Sequence, residues 1–318
     1  MGVKLIASAT YLPEKTLTNF DLEKMVETSD EWIRQRTGLV SRRIADDSEE
    51  VWDLALEAGK KCLTQISEAD KNRIKLLIVA TSSNLRVVPH VSSMIVEPLG
   101  LPEDILAFDL SAGCAGFVYS LSTVIRFLRE GELALIIGSE KLSSYVDYTD
   151  RSTCILFGDG AGATIWEYSD EVEAYYSSQT ITNSEVLYRR EDNGKVHMDG
   201  ADVFKYAVKN LPNSIEDLTK KAGIDIEEID LFLLHQANER IITSVGRHLG
   251  LDQERFPVRF AEVGNTSAAS VPILIDQLWT EGLLEKANNI LISGFGAGFS
   301  IGSVLLKGNN NNVVKSRI

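Results

Sequence analysis

The chain has 318 residues, which suffices for about two domains or one duplicated unit. Hydrophobic residues make up 44% and charged residues 25%, a globular balance that excludes a mainly disordered chain and a disulfide-rich mini-scaffold. The formal net charge of −14 disfavours nucleic acid as the main partner, and no apolar run approaches the roughly 18 residues of a membrane-spanning helix.

Helical and strand patterns alternate along the first half of the chain. Residues 28–31 (TSDE) predict a capping box that starts at Thr28, for a short helix that ends before Gly38. A longer helix is predicted from about 48 to 66. Continuous apolar runs at 75–81, 105–110 and 133–137 predict buried strands. Across 114–130 apolar residues recur at helical spacing, which predicts an amphipathic helix.

The second half repeats this order. A strand at 230–234 ends before His235, and a helical pattern follows it. Asn265 opens a further helical segment, and a strand is predicted at 289–293. Continuous apolar strands separated by helices predict an α/β protein with a buried sheet. The similar order in the two halves predicts a duplicated unit, with one half at 1–168 and the other at 169–318.

The cysteines indicate a compartment as well as a candidate nucleophile. Cys62, Cys114 and Cys154 form an odd and sparse set, which fits a reducing compartment better than secretion. The N-terminal segment lacks a small-residue cleavage site after its short apolar run, so we predict no signal peptide. We therefore expect a cytoplasmic protein.

Cys114 lies between a predicted strand and the start of the amphipathic helix, in LSAGCAGF (110–117). A thiol there would feel the positive end of the helix dipole and unpaired N–H groups. Both favour the thiolate, which is the nucleophilic form. The alternative is a buried, unreactive cysteine, the interpretation that we give to Cys62 and Cys154.

His235 and Asn265 are ambiguous one by one. A lone histidine after a strand is more simply structural, and an asparagine before a helix is more simply an N-cap. Together with Cys114, however, each lies at a strand end, the edge where α/β folds assemble their sites. We predict that the duplicated fold brings the three together. The histidines show no metal-ligand spacing, so we predict no metal site.

Six motifs occur in order along the chain: TSDEWIRQRTG (28–38), SAGCAGF (111–117), DRSTCILFGDGAGA (150–163), HQANERI (235–241), GNTSAASVP (264–272) and GFGAGF (294–299). In these motifs the chain resembles the β-ketoacyl-acyl-carrier-protein (ACP) synthase III family of the thiolase-like superfamily, from about Ala9 to Leu306. The resemblance implies a five-layered αβαβα thiolase-like fold with two pseudo-repeated halves.

The resemblance implies a condensation in two steps, for fatty-acid initiation or a related specialised pathway. Cys114 would take an acyl group from acyl-CoA as a thioester. Malonyl-ACP would then lose CO₂, and its carbanion would attack the thioester to give β-ketoacyl-ACP. His235 and Asn265 would promote decarboxylation, and the amides of Cys114 and Ala297 would form the oxyanion hole. No permanent cofactor is implied, because the CoA thioester is a substrate.

The resemblance also implies a CoA site. Trp32 and Arg151 would flank the adenine by stacking, Arg36 would contact phosphate and Asn238 would hold the pantetheine arm. For Trp32 the alternative is a packing role on the surface of its helix.

Three further expectations follow from the resemblance. Lys205, Arg240 and Arg247, with Lys209 beside Lys205, match the family's basic surface for acyl carrier protein, although solvated charges without a role are the alternative. Val88 stands where acetyl-specific members carry an aromatic residue that lines the acyl pocket, so a bulkier or longer primer is expected there. The family is typically homodimeric, and we expect a homodimer.

Two other functions stay open at this point. An acyltransferase of the same fold would pass the acyl group to an alcohol, an amine or a carrier thiol without forming a C–C bond. Such relatives often alter the histidine or the asparagine, and this chain has both. A non-catalytic partner subunit would lack the cysteine, which is present.

Overall fold

The computed structural model describes residues 1–86, 88–181, 185–190 and 193–308. The strands are β1 (Gly2–Tyr11), β2 (Thr16–Thr18), β3 (Ser41–Arg43), β4 (Ile74–Ala80), β5 (Leu106–Leu110), β6 (Leu133–Lys141), β7 (Asp159–Ser169), β8 (Glu173–Thr180), β9 (Leu187–Arg189), β10 (Val196–Met198), β11 (Leu231–Leu234), β12 (Ile290–Gly296) and β13 (Ser300–Lys307).

The helices are α1 (Asn19–Leu22), α2 (Asp30–Thr37), α3 (Val51–Leu63), α4 (Glu68–Lys71), α5 (Val91–Ile95), α6 (Gly116–Phe127), α7 (Arg151–Cys154), α8 (Gly200–Ala222), α9 (Glu239–His248) and α10 (Ser270–Thr280). Short 3-10 turns lie at Gly113–Ala115, Leu142–Tyr145, Ile226–Glu228, Gln253–Arg255, Ser267–Ala269, Leu284–Lys286 and Ala297–Phe299. In the described part of the chain, no helix has the length and apolarity needed to cross a bilayer.

The predicted helices and strands are confirmed, with ends shifted by a few residues. The predicted start of α2 is wrong, because Ser29 and not Thr28 is its N-cap. The Ser29 hydroxyl accepts a hydrogen bond from the Trp32 N–H at 3.1 Å. The predicted end is confirmed, since Gly38 adopts a left-handed conformation with φ 83° directly after the helix.

Two mixed sheets follow each other along the described chain. The first has five strands in the order β1-β7-β6-β4-β5, and the second has four in the order β11-β12-β13-β8. In the first sheet β4 pairs in parallel with β6, whereas β6–β7 and β7–β1 are antiparallel. In the second, β11–β12 is parallel, whereas β12–β13 and β13–β8 are antiparallel. The second sheet therefore repeats the order β4-β6-β7-β1 of the first, which supports a duplication.

The helices form three layers around these sheets. Helices α6 and α10 lie between the sheets and share one apolar cluster with the facing sides of both. Helices α3 and α5 cover the outer side of the first sheet, and α8 and α9 cover that of the second. This is the predicted αβαβα arrangement. Strand β7 ends at Ser169 and β8 begins at Glu173, and the division at 168/169 stays a prediction.

Close backbone contacts bring the two halves together at the start of the middle helices. The turn that precedes α6 holds Cys114, and the turn that precedes α10 follows Asn265. On Gly296 at the end of β12, an added Cβ would lie 2.6 Å from the Cys114 amide nitrogen. On Gly138 in β6 it would lie 2.4 Å from the Ala268 carbonyl oxygen. Only glycine fits at these positions, so each sheet contacts the turn of the other half.

Candidate active site

Cys114 lies where two cavities meet. The first cavity, of about 480 Å³, extends from Trp32 to the wall formed by Cys114, His235 and Asn265. The second, of about 680 Å³, also includes Cys114 but continues along Leu142, Tyr145 and Leu187. The structure thus brings the three predicted catalytic residues to one cavity, although they are far apart in the sequence.

His235 is held as a neutral imidazole. It follows β11, is buried, and its Nδ1 lies 2.6 Å from the Ser270 hydroxyl oxygen. Burial lowers the pKa of His235 to about 3, so the ring carries no charge at neutral pH. The Ser270 oxygen also accepts a hydrogen bond from the Gln236 N–H at 3.3 Å, which leaves the hydroxyl proton for Nδ1. In that arrangement the ring proton is on Nε2, and the imidazole is a hydrogen-bond donor.

Asn265 is also oriented by its neighbours. Its Oδ1 accepts a hydrogen bond from the Ser267 N–H at 2.9 Å. Its backbone is bound on both sides, because its N–H donates to the Leu156 carbonyl at 2.9 Å and its carbonyl accepts from Gly158 at 3.0 Å. With the oxygen engaged in the turn, the Nδ2–H donor remains for the cavity that Asn265 lines.

Two effects act on the protonation of Cys114 in opposite directions. Burial raises the pKa of the Cys114 thiol to about 12, and the nearby carboxyl of Glu140 raises it as well. A hydrogen bond from Ser267 opposes these effects but is weaker than the burial. The position at the start of α6 is as predicted, but the cost of burying a charge outweighs it. Burial of the side chain thus favours the thiol form of Cys114, against the effect of the helix start.

The amides predicted to form the oxyanion hole lie in segments that touch. Gly113, with φ 54°, would place an added Cβ 3.1 Å from the Ala297 amide nitrogen. Both Cys114 and Ala297 line the second cavity. This placement is what the prediction requires, and the role of the two amides stays a proposal.

Of the predicted CoA residues, Trp32, Arg36 and Asn238 line the first cavity, and Arg151 contacts Trp32. The Arg151 guanidinium is 4.9 Å from the centre of the Trp32 ring, and that of Arg36 is 5.7 Å from it. A base between Trp32 and Arg151 needs about 7 Å, twice a stacking contact, so Arg151 must move to admit adenine. Asn238 donates to the Arg36 carbonyl at 3.1 Å and caps α9 through the Arg240 N–H at 2.9 Å. Both ends of its amide are thus used within the fold.

The basic residues divide into two groups. Lys205 on α8 and Arg240 on α9 line the first cavity. Arg240 lies 5.3 Å from the Phe204 ring, and Lys205 pairs with Asp202 at 2.9 Å. Arg247 lies further along α9, is exposed, and does not line the cavity.

Within one chain Val88 lines neither cavity at Cys114, and its predicted place at the acyl pocket stays a prediction. Val88 is 77% exposed and lies on the surface segment between β4 and α5. The second cavity is lined instead by aromatic and aliphatic side chains from later segments, including Tyr145, Leu187 and Tyr188.

Three functional candidates were not predicted. Ser270 orients His235, and Ser267 lines the second cavity together with Cys114. Both lie in the motif GNTSAASVP, five and two residues after Asn265, which is the one signal that could have indicated them. Glu140, at the end of β6, is fully buried beside Ser267. For Glu140, the one sequence signal is its position at the end of a strand.

Comparisons with known proteins identify the family of the chain. The family model described as 3-oxoacyl-[acyl-carrier-protein] synthase III matches residues 108–184, and the model of its C-terminal part matches residues 219–308. The β-ketoacyl-[acyl-carrier-protein] synthase III of Neorickettsia sennetsu is 40% identical over 301 residues, which cover 93% of this chain and 96% of the relative.

Solved structures give the same result. The crystal structure of 3-oxoacyl-[acyl-carrier-protein] synthase III from Aquifex aeolicus VF5 superposes with a TM-score of 0.89 at 38% identity, covering 96% of this chain and 100% of that one. The priming β-ketosynthase of the R1128 polyketide biosynthetic pathway superposes with a TM-score of 0.86 at 30% identity, covering 97% of both chains. The chain therefore belongs to the 3-oxoacyl-[acyl-carrier-protein] synthase III family, also called β-ketoacyl-ACP synthase III.

Proposed function

We propose that this protein condenses an acyl-CoA primer with malonyl-ACP to give β-ketoacyl-ACP, CoA and CO₂. The observation that carries the proposal is that Cys114, His235 and Asn265 line one cavity in a chain of this family. A soft nucleophile and two neutral donors are the groups that acyl transfer and decarboxylation need.

In the first step Cys114 attacks the thioester carbonyl of acyl-CoA. The developing oxyanion lies against the amides of Cys114 and Ala297, which fixed backbone geometry holds in advance. CoA leaves along the cavity towards Trp32, and the acyl group stays on Cys114. Trp32, Arg151, Arg36 and Asn238 would bind the nucleotide and the pantetheine arm.

In the second step malonyl-ACP enters the same cavity and loses CO₂. Negative charge then builds on the thioester oxygen, where His235 Nε2–H and Asn265 Nδ2–H would donate hydrogen bonds. Because the pKa of His235 is about 3, this donor stays neutral throughout the physiological pH range. The carbanion attacks the acyl-Cys114 carbonyl, and Cys114 leaves.

The second cavity would hold the acyl chain. Its volume of about 680 Å³ far exceeds that of an acetyl group, which has three heavy atoms, each of roughly the size of a water molecule with its share of about 30 Å³ in the liquid. Leu142, Tyr145, Phe157 and Leu187 give it a mainly apolar wall. We therefore propose a primer that is longer or bulkier than acetyl.

Carrier docking is proposed at the mouth of the first cavity, on Lys205 and Arg240 and with Arg247 beyond them. Lys205→Glu and Arg240→Glu are expected to raise the KM for malonyl-ACP about tenfold at low salt, since an acidic carrier would meet like charge. Steady-state kinetics at low and high salt measure this change in KM. The difference in KM between the variants and the wild type should shrink at high salt, because salt screens the charges.

Lys220→Glu is the matched control for docking, because Lys220 lies in the last turn of the same helix α8. It is expected to leave the KM for malonyl-ACP unchanged. Malonyl-CoA, which has no carrier protein, separates docking from malonyl binding. An equal increase of both KM values in the Lys205 and Arg240 variants would argue against a carrier surface there.

We also propose a homodimer in the cytoplasm. Strand β5 is an edge strand, Leu106 on it is 43% exposed, and the adjoining segment exposes Leu85 and Val88. An apolar edge of this kind favours pairing with a second copy. The unpaired thiols of Cys62, Cys114 and Cys154 agree with a reducing compartment.

Intact mass after incubation with a panel of acyl-CoAs tests the proposed function. We expect the mass of the protein to increase by one acyl group. Medium-length or branched acyl-CoAs should acylate a larger fraction of the protein than acetyl-CoA does. The acyl group should be discharged as β-ketoacyl-ACP when malonyl-ACP is added. An acyl group that malonyl-ACP does not discharge would favour the acyltransferase alternative. No increase with any acyl-CoA would contradict the use of acyl-CoA as primer donor.

A further inference from the structure

Arg42 in strand β3 is a cation that is fully buried without a direct counter-ion. Among the residues that the structure describes, no carboxylate forms an ion pair with it. Burial lowers the pKa of Arg42 to about 10, so the guanidinium keeps its charge at neutral pH. An apolar side chain of similar size would fill this space without the cost of burying a charge. Packing alone therefore does not account for an arginine here.

The guanidinium of Arg42 binds two separate elements of the fold. Its Nε donates to the Ile155 carbonyl at 2.9 Å, and its Nη2 donates to the same oxygen. Its Nη1 donates to Oδ1 of Asn19. Ile155 directly follows helix α7, and Asn19 is the first residue of α1. Because the donors of a guanidinium are held in one rigid plane, Arg42 fixes the distance between these two positions.

Asn19 extends this constraint to helix α2. Its Nδ2 donates to the Asp30 carboxylate and to the Leu39 carbonyl, both at 2.8 Å. Asp30 is the first residue of α2, and Leu39 comes directly after Gly38, where the helix ends. Asn19 is fully buried, and both its side-chain oxygen and its side-chain nitrogen are hydrogen-bonded. One amide thus connects both ends of α2 to Arg42.

Strand β3 gives Arg42 a fixed base. The backbone N–H groups of the residues on either side of it donate to the Ala261 and Val263 carbonyls at 3.1 and 3.0 Å. Gly264 has φ 92°, and an added Cβ on it would lie 3.0 Å from Cγ of Arg42. The arginine is therefore held from behind by the segment that leads to Asn265, and its fork does not follow a helix that moves.

The two helices that Arg42 connects carry the two sides of the proposed adenine site. Trp32 lies in the first turn of α2, and Arg151 is the first residue of α7. The Arg151 guanidinium lies 4.9 Å from the centre of the Trp32 ring, and its Nη1 also donates to the Glu27 carbonyl at 3.0 Å. The spacing between the backbones of α2 and α7 thus decides how far apart Trp32 and Arg151 can lie when a base enters between them.

We propose that Arg42 is a positioning residue for nucleotide recognition, which sets the spacing of α2 and α7 and so the width of the slot between Trp32 and Arg151 that takes the adenine of CoA. This inference rests on the proposed function. Arg42 lines neither cavity and acts only through these two helices. With both backbones held, the Arg151 side chain moves to admit the base, and the binding energy is not spent on ordering the helices.

The test compares acyl-CoA with acyl-pantetheine, which carries the same thioester but no nucleotide. Acyl-enzyme formation is measured by quenching and intact mass over a range of concentrations of each donor. Arg42→Lys keeps the charge but loses the planar fork. We expect half-saturation at about tenfold higher acyl-CoA, because part of the stacking on the base is lost, with the maximal rate unchanged. With acyl-pantetheine the variant should match the wild type, since the thioester still meets Cys114 in the same way.

Arg73→Lys is the matched control for the loss of an arginine fork. Nε and Nη2 of Arg73 also donate to one carbonyl oxygen, that of Gly131, at 2.9 and 2.6 Å. Arg73 directly precedes β4 and lines neither cavity. This variant should lower the thermal stability and keep the wild-type values for both donors.

A Trp32→Ala background tests whether Arg42 acts through the slot. In this background one side of the slot is absent, so Arg42→Lys should cause no further loss with acyl-CoA. Asn19→Asp tests the connection to α2 from the other end. Its carboxylate still accepts from Arg42 but has no N–H for Asp30 and Leu39. It should show the same selective loss with acyl-CoA as Arg42→Lys.

The outcomes separate this inference from the proposed function. Equal losses with both donors in Arg42→Lys would show a general structural role and overturn the inference, as would unchanged half-saturation with acyl-CoA. If Arg42→Lys does not fold, Asn19→Asp decides by the same two criteria. A wild type that uses acyl-pantetheine as well as acyl-CoA would refute the adenine slot and leave the condensation intact. A wild type that forms no acyl-enzyme from either donor would refute the proposed function and this inference together.

Discussion

Replacing Cys114 with alanine is expected to reduce acyl-enzyme formation by at least about 10⁴-fold, to below detection, because Cys114 is the one nucleophile among the described residues that line both cavities. Intact mass after incubation with acyl-CoA measures this directly. Decarboxylation of malonyl-ACP should persist in the same variant, since His235 and Asn265 keep their own hydrogen bonds.

The other two cysteines provide matched controls for this experiment. Cys62 is buried between α3 and the first sheet, and Cys154 is buried in the cluster that includes α8 and α9. Cys62→Ala and Cys154→Ala should therefore form the acyl-enzyme as the wild type does. An acyl group retained on the Cys114→Ala protein would show that another side chain is the nucleophile.

Replacing Asn265 with alanine is expected to slow CO₂ release from malonyl-ACP by about 10²–10³-fold, the effect of removing one donor from a charge-stabilising pair. Acylation of Cys114 should remain, because that step uses backbone amides. The variant also loses the hydrogen bond from Ser267, which costs about 1 kcal/mol of stability. CO₂ release and acyl-enzyme formation are measured on the same preparation.

Asn265→Asp removes the Nδ2–H donor and keeps the side-chain oxygen that holds the turn. Its carboxylate still accepts the Ser267 N–H but has an oxygen in place of the Nδ2–H group. We expect it to lose decarboxylation as fully as the alanine variant, with the turn preserved. Release of CO₂ at the wild-type rate by either variant would show that Asn265 has a different role.

The main elements of the fold could be predicted from the sequence because they depend on local patterns. The buried strands β4 and β6 are continuous apolar runs, and α6 shows a helical period. The N-cap of α2 was misplaced because Thr28 and Ser29 are equally good capping residues. Only the backbone direction of the preceding segment decides between them.

The site was predictable in its nucleophile and donors but not in their supporting residues. Cys114, His235 and Asn265 lie in motifs at strand ends. Glu140 and Ser267 belong to residue types that are mostly exposed, and only the packing of two halves buries them together. The raised pKa of Cys114 arises in the same way, because local sequence contains the helix start but not the burial.

The meeting of two cavities at Cys114 has a consequence for the order of events. Once the acyl group lies in the wider cavity, CoA must leave the narrower one before the malonyl thioester can reach the sulfur. The two substrates therefore compete for one channel and never occupy it together. Double-reciprocal plots at several fixed primer concentrations should then give parallel lines, and each substrate in excess should inhibit against the other.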